Sequence, residues 1–252
     1  MKLIFEKSKL INIINTVQAV SAKSVMPILE CIKIEAFDSG DIIVTGNNLD
    51  ICIEYKSDCK VIEPGDIAIS SRMFGEIIRR FPDDDVHISV NPDNEMMNLK
   101  CGSSEFNIQG LNADDYPAIP EVEENYKLSL PQETLKKMIR KTVFAISVNE
   151  GRKPILTGSL FEINTGVLTV VATDGFRIAK TEETVSSSLN DIKIVIPGFT
   201  LREMLKVLED DENPVEIVAS QRFVKFCFEN YKVVSRLLEG DYVNYKPIFN
   251  TP

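Results

Sequence analysis

The sequence predicts an α+β protein built from two copies of one unit, each with two helices packed on antiparallel sheet. Three observations carry this reading. Similar segments recur at one fixed spacing: Pro27-Ile28-Leu29 and Pro154-Ile155-Leu156, "VTGNNLDI" from Val44 and "VATDGFRI" from Val171, "IAISSRMFGEI" from Ile67 and "IVIPGFTLREM" from Ile194 are each 127 positions apart. Short period-two apolar alternations in each copy mark strands, and two longer stretches carry apolar residues at helical spacing. Helices set against one side of an antiparallel sheet give a layered α+β architecture. The predicted units are residues 1–120 and 126–242, and 243–252 read as the start of a mobile linker to a third unit absent from the sequence. Both units fall within ordinary domain size.

The elements follow in the same order in both copies. "KLIF" from Lys2 and "KLSL" from Lys127 read as opening strands, followed by amphipathic helices near 8–20 and 132–146. A hairpin comes next, 30–37 with 41–47 and 158–163 with 167–173. In the second copy Asp174-Gly175 then predicts a tight turn into a further strand, because glycine reaches the left-handed conformations that such turns demand. "IAIS" and "IVIP" lead into second helices near 71–80 and 198–208. An acidic turn and three short strands close each copy, with Asp115-Tyr116 and Asp241-Tyr242 in matching places.

At about 100° per residue, Leu135, Met138, Ile139, Thr142 and Ile146 form the core-facing stripe of the first helix of copy two. Lys136, Lys137, Arg140 and Lys141 fall opposite, with no acid among them. The helix near 71–80 is expected to bury Met73, Phe74, Ile77 and Ile78 and to expose Arg72, Arg79 and Arg80 against Glu76. The helix near 198–208 adds Arg202 and Lys206 against Glu203. Formal net charge is −10, yet the acids concentrate in turns such as Asp83-Asp84-Asp85 and Asp210-Asp211-Glu212. A basic helical surface on an acidic molecule can hold phosphates without reading sequence, and the remainder repels DNA elsewhere.

Composition excludes several classes. His87 is the single histidine, which nearly excludes a histidine-based metal cage or catalytic triad. Cys31, Cys52, Cys59, Cys101 and Cys227 are odd in number and form no C-x-x-C pair, so they read as reduced packing residues. No run approaches the roughly 18 apolar residues of a membrane span, and "MKLIFEKSKL" lacks a signal-peptide core. The expected location is the cytoplasm, with no membrane partner.

The repeated unit, "MPIL", "VATDGFRIA" and the "EGDY" closing turn resemble the bacterial sliding clamp family, the beta subunit of DNA polymerase III. The resemblance implies three such domains per chain, of which this sequence carries the first two. It also implies a homodimeric ring with helices lining the hole and duplex DNA threaded through. Such a ring is a non-catalytic processivity factor that tethers the replicative polymerase, and it needs no cofactor or metal. By matching position, Leu156, Thr173, Gly175, Phe176, Arg177, Ile178, Tyr242, Val243 and Ile248 would form a pocket for short peptide motifs of the polymerase, the clamp loader and repair proteins. Phe176 would be its aromatic wall, and Leu156 with Ile178 its apolar floor. Phe176 stands where a histidine is common, Val243 replaces a proline, and Pro247 replaces a basic residue. Lys23, Arg152 and Lys153 match DNA-contacting loop positions, joining the helix-borne basic residues. Gly198 and Phe199 stand where the family often has a basic residue. Phe106 and Ile108 match edge-strand residues of the dimer interface.

Two other readings follow from the residues. The acidic turns at 83–85 and 210–212 could hold Mg²⁺ in a nuclease, but their equivalent places after helices favour solvated turns. No P-loop, G-x-S-x-G or H-E-x-x-H occurs. A shortened clamp could also act as a partner-binding module that does not encircle DNA.

Overall fold

The computed structural model describes residues 1–21, 26–148, 153–185 and 192–249. These form two compact units, one of Met1–Pro120 with Glu229–Val234, the other of Glu121–Phe228 with Ser235–Pro252.

The first copy runs β1 (Lys2–Glu6), α1 (Lys7–Gln18), β2 (Cys31–Ala36), β3 (Asp41–Asn47), β4 (Ile51–Asp58), β5 (Lys60–Glu63), β6 (Gly65–Ser70), α2 (Ser71–Arg80), β7 (Asp85–Asn91), β8 (Met96–Cys101) and β9 (Ser104–Gln109). Its strands divide between two antiparallel arrays, β5-β1-β7-β8-β9 and β4-β3-β2-β6. So each helix meets two sheets rather than the one expected: α1 packs on β1, β3 and β4, and α2 on β2, β6 and β9.

Close approach of α1 to β3 depends on Gly46, where a Cβ would lie 2.3 Å from the Val17 carbonyl oxygen. Ser70 caps α2, its hydroxyl accepting from the Met73 amide at 3.4 Å. The cap sets the helix phase so that Ser71, Phe74, Gly75 and Ile78 face inward. Met73 is therefore 52% exposed, contrary to its predicted burial. Cys31, Cys52 and Cys101 are buried. Burial, reinforced by Glu54, pushes the Cys52 thiol up to about 12, and such a thiol packs rather than reacts.

The second copy runs β10 (Tyr126–Pro131), α3 (Gln132–Thr142), β11 (Gly158–Asn164), β12 (Val167–Thr173), β13 (Ile178–Thr184), β14 (Ile192–Pro197), α4 (Gly198–Val207), β15 (Pro214–Ala219), β16 (Phe223–Phe228), β17 (Tyr231–Arg236) and α5 (Lys246–Phe249). The repeat is kept to the residue in several elements: α4 begins and ends 127 positions after α2, as β16 does after β8. One array is β10-β15-β16-β17 and the other β13-β12-β11-β14. The predicted apolar stripe of α3 is buried in full.

The helix itself stops at Thr142, short of the expected 146, and tightens into a 3₁₀ turn over Val143–Ala145. There the Thr142 hydroxyl donates back to the Met138 carbonyl at 2.9 Å, a local bond that competes with continued helix. At its start, the amides of Gln132 and Glu133 donate to the carbonyls of Asn213 and Asp211 at 2.9 and 3.0 Å. The acidic turn is therefore the cap of α3, satisfying donors that every helix start leaves open.

Candidate nucleic-acid and peptide interfaces

Strands β12 and β13 pair from Val167↔Thr184 through Thr173↔Ile178. The connection is thus the four residues 174–177, not the two-residue turn that Asp174-Gly175 predicted. Asp174 organises it. Its Oδ1 accepts the amides of Phe176 and Arg177, both at 3.0 Å, and its Oδ2 accepts from Arg177 Nε at 2.9 Å. The amides of Arg177 and Phe176, then the guanidinium, hold the Asp174 carboxyl below its ordinary value. Gly175 has φ +91°, which favours glycine. The Thr173 hydroxyl donates to the Arg177 carbonyl at 2.7 Å, tying both ends of the loop. Phe176 is 101% exposed and stands clear of its surroundings. Arg177 lies over the ring of Phe144, 5.8 Å from its centroid. Sequence reading missed Phe144, an exposed aromatic at the end of α3.

Behind the loop is an apolar cluster of Leu160, Val171, Val195 and Tyr245, with Ile155, Ile178, Leu238 and Tyr242 partly buried against it. Of the predicted pocket residues, Thr173, Ile178 and Tyr242 meet here. Leu156 is buried, and it is its neighbour Ile155 that is partly open to solvent. Val243 is half-buried, and Ile248 is exposed on α5. The Tyr242 hydroxyl accepts from the Thr173 amide at 3.2 Å and donates to the Gly158 carbonyl at 3.4 Å. Residues 243–249, part of the 243–252 expected as a mobile linker, are instead seated on their own unit, with Tyr245 buried in the cluster. Tyr242 and Tyr245, three residues apart in the sequence, are the two rings that join the cluster.

The basic residues divide into paired and open groups. Lys136, with its side chain 11% exposed, pairs with Asp210 at 2.9 Å. Lys137 pairs with Glu133 at 2.7 Å, Arg72 with Glu76 at 3.0 Å and Lys206 with Glu203 at 2.7 Å. Acids thus accompany two of the four basic positions of α3, contrary to the sequence reading. Arg79 donates to Asn15 and Gln18 on α1 at 2.8 and 2.7 Å. Arg80, Arg140, Lys141, Lys153 and Arg202 are exposed, and none makes an ion pair among the described residues. In the second unit α3 packs on α4, so Arg140, Lys141 and Arg202 belong to one helical layer. Lys23 and Arg152 lie outside the described residues. On β9, Phe106 is exposed with its ring 5.8 Å from that of Phe81. Ile108 is 2% exposed within its own unit.

Family models place the whole arrangement. Residues 1–120 match the N-terminal domain of the DNA polymerase III beta subunit, and residues 129–244 match its central domain. The chain belongs to the DNA polymerase III beta-subunit family. Among curated beta-subunit relatives, the beta sliding clamp of Halalkalibacterium halodurans is 38% identical over 242 residues, which is 92% of this chain and 63% of that one. The beta sliding clamp of Bacillus subtilis is 38% identical over 256 residues, 96% of this chain and 66% of that one. The chain therefore spans about two thirds of the length of these beta subunits. A solved Bacillus subtilis sliding clamp superposes with a TM-score of 0.92 at 35% identity, over 98% of this chain and 67% of that one. The Streptococcus pyogenes beta subunit gives 0.93 at 32% identity, over 100% and 68%. No helix is long and apolar enough to cross a membrane among the described residues.

Proposed function

We propose that this chain supplies the first two domains of a sliding clamp, a non-catalytic processivity factor that holds duplex DNA without sequence preference. In this reading residues 1–120 and 126–242 are the clamp domains, 243–252 lead towards a third, and a homodimeric ring in the cytoplasm encircles the DNA. The observation that carries it is the register of the match, which runs through both domain models in order. Arg80, Arg140, Lys141, Lys153 and Arg202, exposed and without an ion pair among the described residues, suit phosphate contact, whereas Lys136 is committed to Asp210. Lys23 and Arg152 belong to the same proposal by family position. Phe106 is the candidate dimer contact on β9.

Partners bind through the groove of Ile155, Thr173, Ile178, Leu238 and Tyr242, with Phe176 and Arg177 at its rim. A replicative polymerase, clamp loader or repair protein would bring a short peptide whose leucine and phenylalanine side chains enter it. A fully exposed phenyl ring that holds no core together is available to close over such a peptide, and buried aromatic anchors carry about 2 kcal/mol or more of binding. Titration of a Gln-Leu-x-Leu-Phe peptide into labelled chain tests this by NMR. Shifts should begin at residues 173–178 and 242; shifts confined to residues 1–120 would remove the groove from this site. The second reading, a partner-binding module that does not encircle DNA, is favoured if peptide binds while duplex DNA does not.

A further inference from the structure

Glu162 on β11 carries a carboxylate that is only 5% exposed, and three donors converge on it. The Tyr245 hydroxyl donates to Oε2 at 2.5 Å. Lys246 Nζ donates to Oε1 at 3.2 Å, and Lys193 Nζ lies 3.5 Å from the same oxygen. Its counterpart in the first copy, 127 positions earlier, is Glu35, which is 29% exposed and pairs with Lys33 at 2.9 Å. The same strand position thus carries an open ion pair in one copy and a buried hub in the other. What differs is the segment after the closing tyrosine: Tyr245 and Lys246 cover Glu162.

A buried carboxylate is tolerated only when its oxygens are paired. Two of the donors here are consecutive residues of one segment, so satisfying Glu162 also fixes that segment. The Tyr245 ring fills the cluster with Leu160, Val171 and Val195, and stacks edge-on to Phe249 at 6.4 Å. Lys180 of β13 sits 5.3 Å from the centre of the Phe249 ring. Three residues before Tyr245, Tyr242 bridges the Thr173 amide and the Gly158 carbonyl.

We propose that Glu162 is the positioning residue of the peptide groove: its buried carboxylate holds Tyr245 and Lys246, and through them holds Tyr242 in place as the groove's wall. The role rests on the groove reading given above. It makes the wall part of the second unit's own fold, preformed before a peptide arrives, and preformed walls spare binding the cost of ordering them.

Hydrogen exchange and peptide titration on the full chain test the proposal with Glu162→Gln and Tyr245→Phe. The first removes the charge and keeps the shape; the second removes the hydroxyl and keeps the ring. Amides of residues 242–249 should exchange about tenfold faster or more in both variants, as expected for loss of a charge-assisted hydrogen bond. Exchange within α3 should not change. Affinity for the Gln-Leu-x-Leu-Phe peptide should fall about threefold to tenfold. The double variant should lose less than the sum of the two single losses, because the variants share the Tyr245–Glu162 bond while Glu162→Gln alone also discharges the pairing with Lys246. Should Glu162→Gln fail to fold, Tyr245→Phe carries the same test. Unchanged exchange in 242–249, or faster exchange with wild-type affinity, overturns the role of Glu162. Failure of the wild-type chain to bind peptide removes the groove reading itself, and the positioning role with it.

Discussion

Tyr116 and Tyr242 perform one task in the two copies. The Tyr116 hydroxyl lies 3.2 Å from the carbonyl oxygens of Cys31 and Thr45 and donates to them; Tyr242 donates to Gly158, the position equivalent to Cys31. Each pins the end of its unit onto the start of the central hairpin. The sequence marked the pair as equivalent, but their partners lie 85 and 84 residues away, beyond any local pattern. Tyr116→Phe leaves buried carbonyls without their donor and should cost about 1–3 kcal/mol, read as a lower urea midpoint with unchanged slope. Phe176 behaves oppositely. Fully exposed, its replacement by Ala should leave stability within about 0.5 kcal/mol, while peptide affinity falls by about tenfold, the factor that 1.4 kcal/mol produces. Asp174 supplies a pH signature. Its folded carboxyl sits below the ordinary 3.8 because the Arg177 and Phe176 amides and the Arg177 guanidinium favour the charged form. A depressed folded pKa stabilises above the unfolded value and loses that contribution as pH falls through the folded one. The loop should therefore stay ordered through neutral pH and down past 4, and NMR titration of the Asp174 carboxyl carbon should give a midpoint below 3.8.

Helix α3 shows how far a single element can be read. Its buried stripe followed from the 3.6-residue period, because core packing is the dominant demand on an amphipathic helix. Its outer face was read as uniformly basic, and two pairings were missed for different reasons. Glu133 stands one turn before Lys137, a spacing visible in the sequence. Asp210 reaches Lys136 only because the turn at 209–213 folds over the start of the helix, which no local pattern states. The phase of α2 was misjudged by one position at Met73, since its serine cap and Gly75 set the buried face. The open cations of α3 carry the next prediction. Arg140→Ala with Lys141→Ala should lower the slope of log K against log salt for duplex binding by about 1.8, at about 0.9 per phosphate contact. Lys136→Ala, which breaks a pair with Asp210, should change that slope far less.

Across the molecule the repeat was the most legible feature, because a fixed spacing of 127 survives wherever neither copy gains or loses a residue. It holds at the central hairpin, at α2 and α4, at β8 and β16 and at β9 and β17, and it slips at the opening strand and helix, at β7 and β15, and at Tyr116 and Tyr242, which are 126 apart. The seat of residues 243–249 was legible only in part: the matching Tyr116 and Tyr242 marked where each unit closes, whereas the packing of Tyr245 on Leu160, Val171 and Val195 is a long-range contact that no local pattern states. The charge distribution links the fold to the proposed function: a net charge of −10 coexists with helices whose outward cations Arg80, Arg140, Lys141 and Arg202 make no ion pair among the described residues. The most direct measurement is fluorescence anisotropy of two duplexes of unrelated sequence, titrated with wild-type chain and with Arg80, Arg140, Lys141 and Arg202 changed to Ala, across a range of salt. The clamp reading predicts equal binding of both duplexes, a steep salt dependence, and a flattened dependence in the variant. Discrimination between the duplexes, or the same flattening produced by Lys56→Ala with Lys60→Ala instead, would contradict it.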